Sequence, residues 1–226
     1  MKVALCLIVW NEFAGVELDV PRLPLDEFDE VFAVDGGSTD GTVEYLESRG
    51  IIVHPQPKPG LNAAYVHANQ VATSDAIVVF FPKGTIPIDD LLNFRPLLKQ
   101  GHDLIIASRQ IRGSHNEEDD CFLRPRKWSV FCLALLAALL WRREGWFVRD
   151  VLHGVKAWKR DAFVAMGVLE HGLSIDIEMV VRSYKLRLSR IEFPTTETAR
   201  VHGETTFKIW PTGKKLLKYL WFELCR

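Results

Sequence analysis

The sequence predicts an α/β fold with a mostly parallel sheet flanked by helices. Three observations carry that prediction. Residues 31–34 (Val-Phe-Ala-Val) form an apolar run too short for a helix and typical of a buried parallel strand; the run stops at Asp35. Two glycines follow, and Ser38, Thr39 and Asp40 are natural N-caps for the helix that Gly41-Thr-Val-Glu-Tyr-Leu-Glu begins. Residues 76–81 and 103–109 repeat the buried-strand pattern, and residues 61–72 lie between strands as a helix. With 226 residues the chain is expected to form one domain, spanning 1–226, with a sizeable core.

Composition narrows the functional classes. Hydrophobic residues make up 48% of the chain and the net charge is −1, so the overall balance gives no support to nucleic-acid binding. The four cysteines, Cys6, Cys121, Cys132 and Cys225, have no metal-ligand spacing, which argues against a zinc site or a disulfide framework and suits a reducing cytosol. Near the start, residues 3–10 read as a first strand; Asn11-Glu12 follow where the small residues of a cleavage site would belong.

Taken in order, residues 51–54 are a short strand, and the prolines of residues 55–60 force a loop containing Lys58. After the central strand at 76–81 comes Pro82-Lys83-Gly84, and Asp89 and Asp90 read as charges at a helix N-terminus. Residues 111–121 are polar and acidic and read as a loop. An apolar helix is expected at about 126–141. The run is short of the roughly 20 residues a bilayer crossing needs, yet Trp128, Trp141 and Trp146 with Arg142 and Arg143 border it, which suits a membrane interface as well as a buried core. Residues 190–194 are a late strand. A basic, aromatic helix at about 207–224 again suits a membrane surface.

A carboxylate at a strand's C-terminal end beside a helix N-terminus is where open α/β sheets bind ligands, although a capped turn without a ligand fits the same pattern. Val34-Asp35-Gly-Gly-Ser-Thr-Asp-Gly-Thr42 resembles the Val-Asp-Asp-Gly-Ser-Thr-Asp-Gly-Thr signature of family 2 glycosyltransferases. The resemblance runs from about residue 3 to residue 208, and the nearest branch is similar to the dolichyl- or polyprenyl-phosphate sugar synthases. It implies a GT-A type fold, with a Rossmann-like sheet, and inverting transfer of one sugar from a nucleoside diphosphate sugar to a lipid-phosphate or glycan acceptor. The expected setting is cytoplasmic and peripheral, at the inner face of a cell membrane.

The resemblance also implies site residues. Asn11, Glu12, Asp35, Gly37 and Ser38 fall at the donor nucleotide, and Lys58 lies in a loop that is basic or glycine-rich in the family. Arg200-Val-His-Gly203-Glu-Thr-Thr-Phe-Lys208 resembles the family's Arg-x-x-Gly-x-Ser-Lys, which puts Arg200 and Lys208 over the diphosphate. Arg109, Arg126 and Ser129 fall where the lipid-phosphate branch binds its acceptor. Asp150 and Gly154 match an Asp-x-x-Ser-Gly motif in which His153 replaces the serine and joins the acceptor group. Asp176 opens an Asp-x-Glu helix and, with Asp150, is the carboxylate available as a base should the acceptor be a hydroxyl.

The largest departure lies after the strand at 76–81. Pro82 and Gly84 stand at the two positions of the family's metal-binding Asp-x-Asp, and neither can bind a hard cation such as Mg or Mn through a side chain. No metal or other cofactor is therefore expected. Two consequences stay open: Lys83 takes the cation's place on the diphosphate as a point charge, or the chain keeps the fold and binds nucleotide sugar without turnover. A nucleotidyltransferase of similar architecture is a further alternative.

Overall fold

The computed structural model describes residues 1–120, 124–172, 174–198 and 209–226. Seven strands form one sheet: β1 (Val3–Val9), β2 (Glu30–Asp35), β3 (Ile52–Pro55), β4 (Ala76–Phe80), β5 (Leu104–Ser108), β6 (Lys156–Lys159) and β7 (Arg190–Pro194), in the order β3-β2-β1-β4-β6-β5-β7. The pairs β3–β2, β2–β1, β1–β4 and β5–β7 are parallel; β6 runs antiparallel to both neighbours, β4 and β5.

Both faces of the sheet are buried, which explains why its central strands are continuous apolar runs. Alternate residues of each strand serve the two faces, as the two-residue strand period requires. Ala4, Cys6, Ile8, Phe32, Val34, Ile77, Val79, Leu104, Ile106 and Trp158 pack on one side beneath α3 (Leu61–Val71), α5 (Pro125–Trp141) and α7 (Ile175–Lys185). Val3, Leu5, Leu7, Ala33, Val78, Phe80, Ile105 and Ala157 pack on the other, beneath α1 (Phe13–Asp19), α2 (Thr42–Ser48) and α4 (Phe94–Lys99). Trp158 is wholly buried and stacked between Tyr65 and Phe163, with centroids 5.2 and 5.1 Å away. Its indole N–H donates to Asn69 Oδ1, so its polar edge is satisfied as well.

Three elements escaped the sequence reading: α1, β6 and α6 (Arg160–Met166). The strand β6 is only four residues long, Lys-Ala-Trp-Lys, and its lysines hid a strand whose residues 156–158 are buried. The inner lysine is tolerated because its ammonium has a carboxylate partner, described below. The apolar helix begins at Pro125, where proline suits the first helical turn because its missing N–H would have no intrahelical partner. The last helix, α8 (Ile209–Cys225), presents Leu216, Tyr219 and Leu220 to the core. No helix among the described residues is long and apolar enough to cross a membrane.

Candidate active site

Because β2, β1 and β4 are parallel neighbours, their C-terminal ends share one edge of the sheet, and the loops after them meet there. Asp35 closes β2 by accepting hydrogen bonds from the Gly37 and Ser38 amides and from the Ser38 hydroxyl. Gly37 has φ 97°, a left-handed conformation that a side chain would strain, so the turn needs glycine there. Ser38 Oγ also accepts from the Asn11 amide, while Asn11 Oδ1 accepts from the Thr39 amide. These bonds fasten the loop after β1 to the loop after β2. Asn11 itself sits at φ 50°, a conformation that asparagine tolerates better than most residues. Asp40, just before α2, accepts from Thr42 N and Thr42 Oγ1, and its other oxygen accepts from Phe13 N.

The loop leaving β4 carries Lys83 to the same edge. Its Nζ lies 3.6 Å from Glu12 Oε1 and 5.1 Å from the centre of the Phe81 ring. This loop is held from behind by α1: Asp19 Oδ2 accepts from Gly84 N at 2.8 Å. A Cβ on Gly15 would fall 2.0 Å from Pro82 O, so α1 can approach this loop only with glycine at that position. Burial raises the Asp19 carboxyl, and the loop amides and Arg22 oppose that rise.

A cavity of about 290 Å³ opens beside Lys83. Its wall includes Arg109, Arg126, Lys127, His153, Asp176 and Glu197. Because β6 is antiparallel, its N-terminal end reaches the same sheet edge as the C-terminal ends of β4 and β5, which brings His153 and Gly154 into the wall. A second hollow, of about 520 Å³, is walled by Val20, Pro21, residues 23–27 and Arg49 and shares no lining residue with this cavity.

Two ionic clusters line the cavity. In the first, Arg109 Nε and Nη2 lie 2.8 and 2.9 Å from the two oxygens of Asp150, while Nη1 lies 2.6 Å from Glu197 Oε2. Asp150 is fully buried. Burial opposes its ionisation, but the Arg109 charge and hydrogen bonds outweigh that and hold the carboxyl at about 2. Glu197 is likewise lowered by Arg109 against the effect of burial. His153 completes the cluster with Nδ1 against the Ala107 carbonyl. Burial first, and then the Arg109 charge, push its imidazole down to about 4, against the pull of Asp150 and Glu197. In the second cluster, Lys156 Nζ on β6 lies 2.7 Å from Asp176 Oδ1, at the first turn of α7. Glu178, two residues on, faces inward and accepts from Asn62 Nδ2.

Several expected site residues take other roles. Asp150 anchors Arg109 with both oxygens and has no access to a ligand, so it is not an available base. Arg109 is correspondingly committed to two carboxylates. Lys58 is engaged by Glu170 across the loop. Ser129 Oγ donates to Pro125 O within its own helix and is not part of the cavity wall. Arg126 lines the cavity. Arg200 and Lys208 lie outside the described residues. Glu197, Lys127 and Lys156 escaped the sequence reading as site residues. Glu197 reads as one charge in a polar loop, and the bonds Glu197 N to His115 O and Thr198 N to Thr85 O, with its pairing to Arg109, bring it to the cavity.

The loop leaving β4 offers the Lys83 ammonium, and the nearby Glu12 and Asp176 carboxylates are each paired with a lysine. Among the described residues no three His, Cys, Asp or Glu side chains converge. These residues do not fit a divalent metal ion.

A doubly flanked, mostly parallel sheet with its cleft at the strand ends defines a GT-A type domain. The chain belongs to Glycosyl transferase family 2, whose pattern it matches over residues 22–163. Its curated relatives include the glycosyltransferase AglJ of Haloferax volcanii, 26% identical over 211 residues, covering 90% of this chain and 66% of that protein. The dolichol-phosphate mannosyltransferase of Pyrococcus furiosus is 22% identical over 228 aligned positions, covering 97% of this chain and 62% of that protein. The chain thus spans somewhat less than two thirds of the length of these relatives. The fold is similar to that of glucosyl-3-phosphoglycerate synthase from Mycobacterium tuberculosis in complex with Mn2+ and UDP-glucose, with TM-score 0.68, 19% identity, and coverage of 97% of this chain and 76% of that one.

Proposed function

We propose that this chain transfers a sugar, with inversion, from a nucleoside diphosphate sugar to a lipid-phosphate or glycan acceptor at a membrane surface. The observation that carries this reading is the cavity beside Lys83, at the edge where the Asp35 and Asn11 loops are fastened together. Asn11, Glu12, Asp35, Gly37 and Ser38 would form the nucleotide side, and Lys83 the diphosphate side. Arg126 and Lys127 would face the acceptor. A single displacement needs the nucleophile held in line with the leaving diphosphate, and the cavity next to the donor edge would supply that positioning. Charge developing on the diphosphate as the sugar leaves requires an offset, which Lys83 supplies in place of a metal. The exposed apolar side chains of α5 and α8, Leu139 and Trp221 foremost, support action at a membrane surface.

A screen of nucleotide sugars for hydrolysis and transfer, with and without EDTA, tests this reading. Turnover should survive EDTA nearly intact. Lys83→Ala should lower kcat more than it weakens donor binding, since the charge develops mainly in the transition state. Loss of turnover in EDTA would restore a metal and remove Lys83 from that role. Nucleotide-sugar binding without turnover on any acceptor would favour the binding-only alternative, for which the replacement of both metal-ligand positions by Pro82 and Gly84 is the specific argument.

A further inference from the structure

We propose that His153 takes the proton of a hydroxyl nucleophile on Nε2, so that the acceptor drawn into this cavity is an alcohol, such as a sugar hydroxyl, rather than a phosphate. This deepens the reading above and rests on it. The case begins with the carboxylates. Among the described residues two line the cavity, Asp176 and Glu197, and both are already held by cations. Lys156 is only 1% exposed, so protonating Asp176 would strand a buried ammonium without its counter-ion. Glu197 is fixed by Arg109 at 2.6 Å, and Asp150 behind it gives both oxygens to the same guanidinium.

His153 differs from them. A carbonyl oxygen can only accept, so the contact with Ala107 O puts the ring proton on Nδ1 and leaves Nε2 with a lone pair. The contact with Ala107 engages Nδ1 only, and the ring forms part of the cavity wall. The charged groups facing the ring are Arg109, Asp150 and Glu197. Burial and Arg109 keep it neutral down to about 4, close to the roughly 3.9 of an ordinary aspartate, so it offers carboxylate-like basicity without needing a counter-cation. A phosphate oxygen brought to Nε2 would set lone pair against lone pair, whereas a hydroxyl presents a hydrogen. In the step itself the acceptor oxygen bonds to the anomeric carbon. The anomeric carbon–oxygen bond to the diphosphate breaks, its electron pair leaving with the nucleoside diphosphate. The hydroxyl proton passes to Nε2. The imidazolium forms beside Asp150 and Glu197 and returns its proton to water.

The test uses the whole chain, a panel of nucleotide sugars, and two acceptor sets: a polyprenyl phosphate and simple glycosides with free hydroxyls. Transfer to a glycoside is expected, with His153→Gln and His153→Ala lowering kcat by roughly 10²- to 10⁴-fold while donor affinity stays within about twofold. Glutamine retains an N–H for the Ala107 carbonyl but has no basic nitrogen, so equal loss in both variants separates proton transfer from support of the fold. Imidazole nitrogen spectra at neutral pH should show Nδ1 protonated and Nε2 bare. A protonated Nε2, transfer to the phosphate alone, or a His153→Gln variant retaining glycoside transfer would each overturn the proposal. Absence of any donor binding by the wild-type chain would instead fail the underlying function, and the proposal with it, while the nitrogen spectra would still report the ring.

Discussion

At the scale of single residues, the site is a set of charges already spoken for. Asp35 looks like a free carboxylate in the sequence, yet it spends its oxygens on the Gly37 and Ser38 amides and the Ser38 hydroxyl, making it the keystone of the turn. Asp35→Ala should therefore release the turn and weaken nucleotide binding by roughly tenfold or more, since hydrogen bonds to a charged group contribute about 1.5–3 kcal/mol each. Calorimetric titration with nucleoside diphosphates, on a variant with native circular dichroism, measures this; unchanged affinity would remove Asp35 from the donor site. His153 makes a second prediction, in stability. Unfolded, its imidazole takes a proton near the ordinary value of 6.5; folded, only at about 4. Between those values the unfolded chain binds more protons, so folding stability falls as pH drops from 6.5 to 4, by about 3 kcal/mol in all. Urea denaturation across that window should show the slope in the wild type and a flatter one in His153→Gln.

At the scale of elements, helix and strand directions decide who meets whom. Antiparallel β6 delivers His153 to the edge where parallel β4 and β5 end, and a parallel strand there would have delivered Arg160 instead. The helices α5 and α8 each have a second face to account for. On α5, Leu133, Ala134, Ala137 and Ala138 are buried, while Trp128, Phe131, Leu135 and Leu139 are exposed at helical spacing. On α8, Leu216, Tyr219 and Leu220 are buried and Leu217, Trp221 and Phe222 are exposed among Lys214, Lys215 and Lys218. Apolar side chains beside lysines suit an anionic lipid surface. Leu139→Glu and Trp221→Glu should abolish flotation with anionic liposomes at low salt and leave the thermal midpoint nearly unchanged, because these side chains are 70% and 69% exposed. Flotation unaffected by both changes would mean that these faces do not bind lipid.

For the molecule as a whole, buried ion pairs join helices that the sheet does not connect. Glu223 on α8 is fully buried and is paired with Arg182 at 2.7 Å and Lys185 at 2.9 Å, both on α7. Arg182 also reaches Glu178, whose carboxylate meets Asn62 at the start of α3. This chain of contacts runs from α8 to the helix that lines the cavity at Leu61. Removing one member of such a set leaves an uncompensated buried charge, which costs about 3–5 kcal/mol. Arg182→Met should lower the urea midpoint accordingly, while Arg182→Lys should recover part of it; a midpoint unmoved by Arg182→Met would show that α8 is held by its apolar contacts alone.

The sequence by itself determined what local pattern and composition can encode. Apolar runs bounded by turn residues marked β1, β2, β4 and β5, since burial on both faces leaves such strands no polar positions. The Asp35 turn was legible because only certain residues fit a left-handed, capped bend. That Pro82 and Gly84 stand at the family's two metal-ligand positions is implied only by the resemblance to the family. Tertiary structure alone decided which charges remain available. Arg109, Asp150 and Glu197 are separated by 41 and 47 positions in sequence, and nothing local records that they neutralise one another. Asp176 looked like a free base until β6 set Lys156 2.7 Å from it. The physical reason is that a carboxylate's chemistry depends on its burial and its nearest opposite charge, and both are properties of the folded chain rather than of neighbours along it.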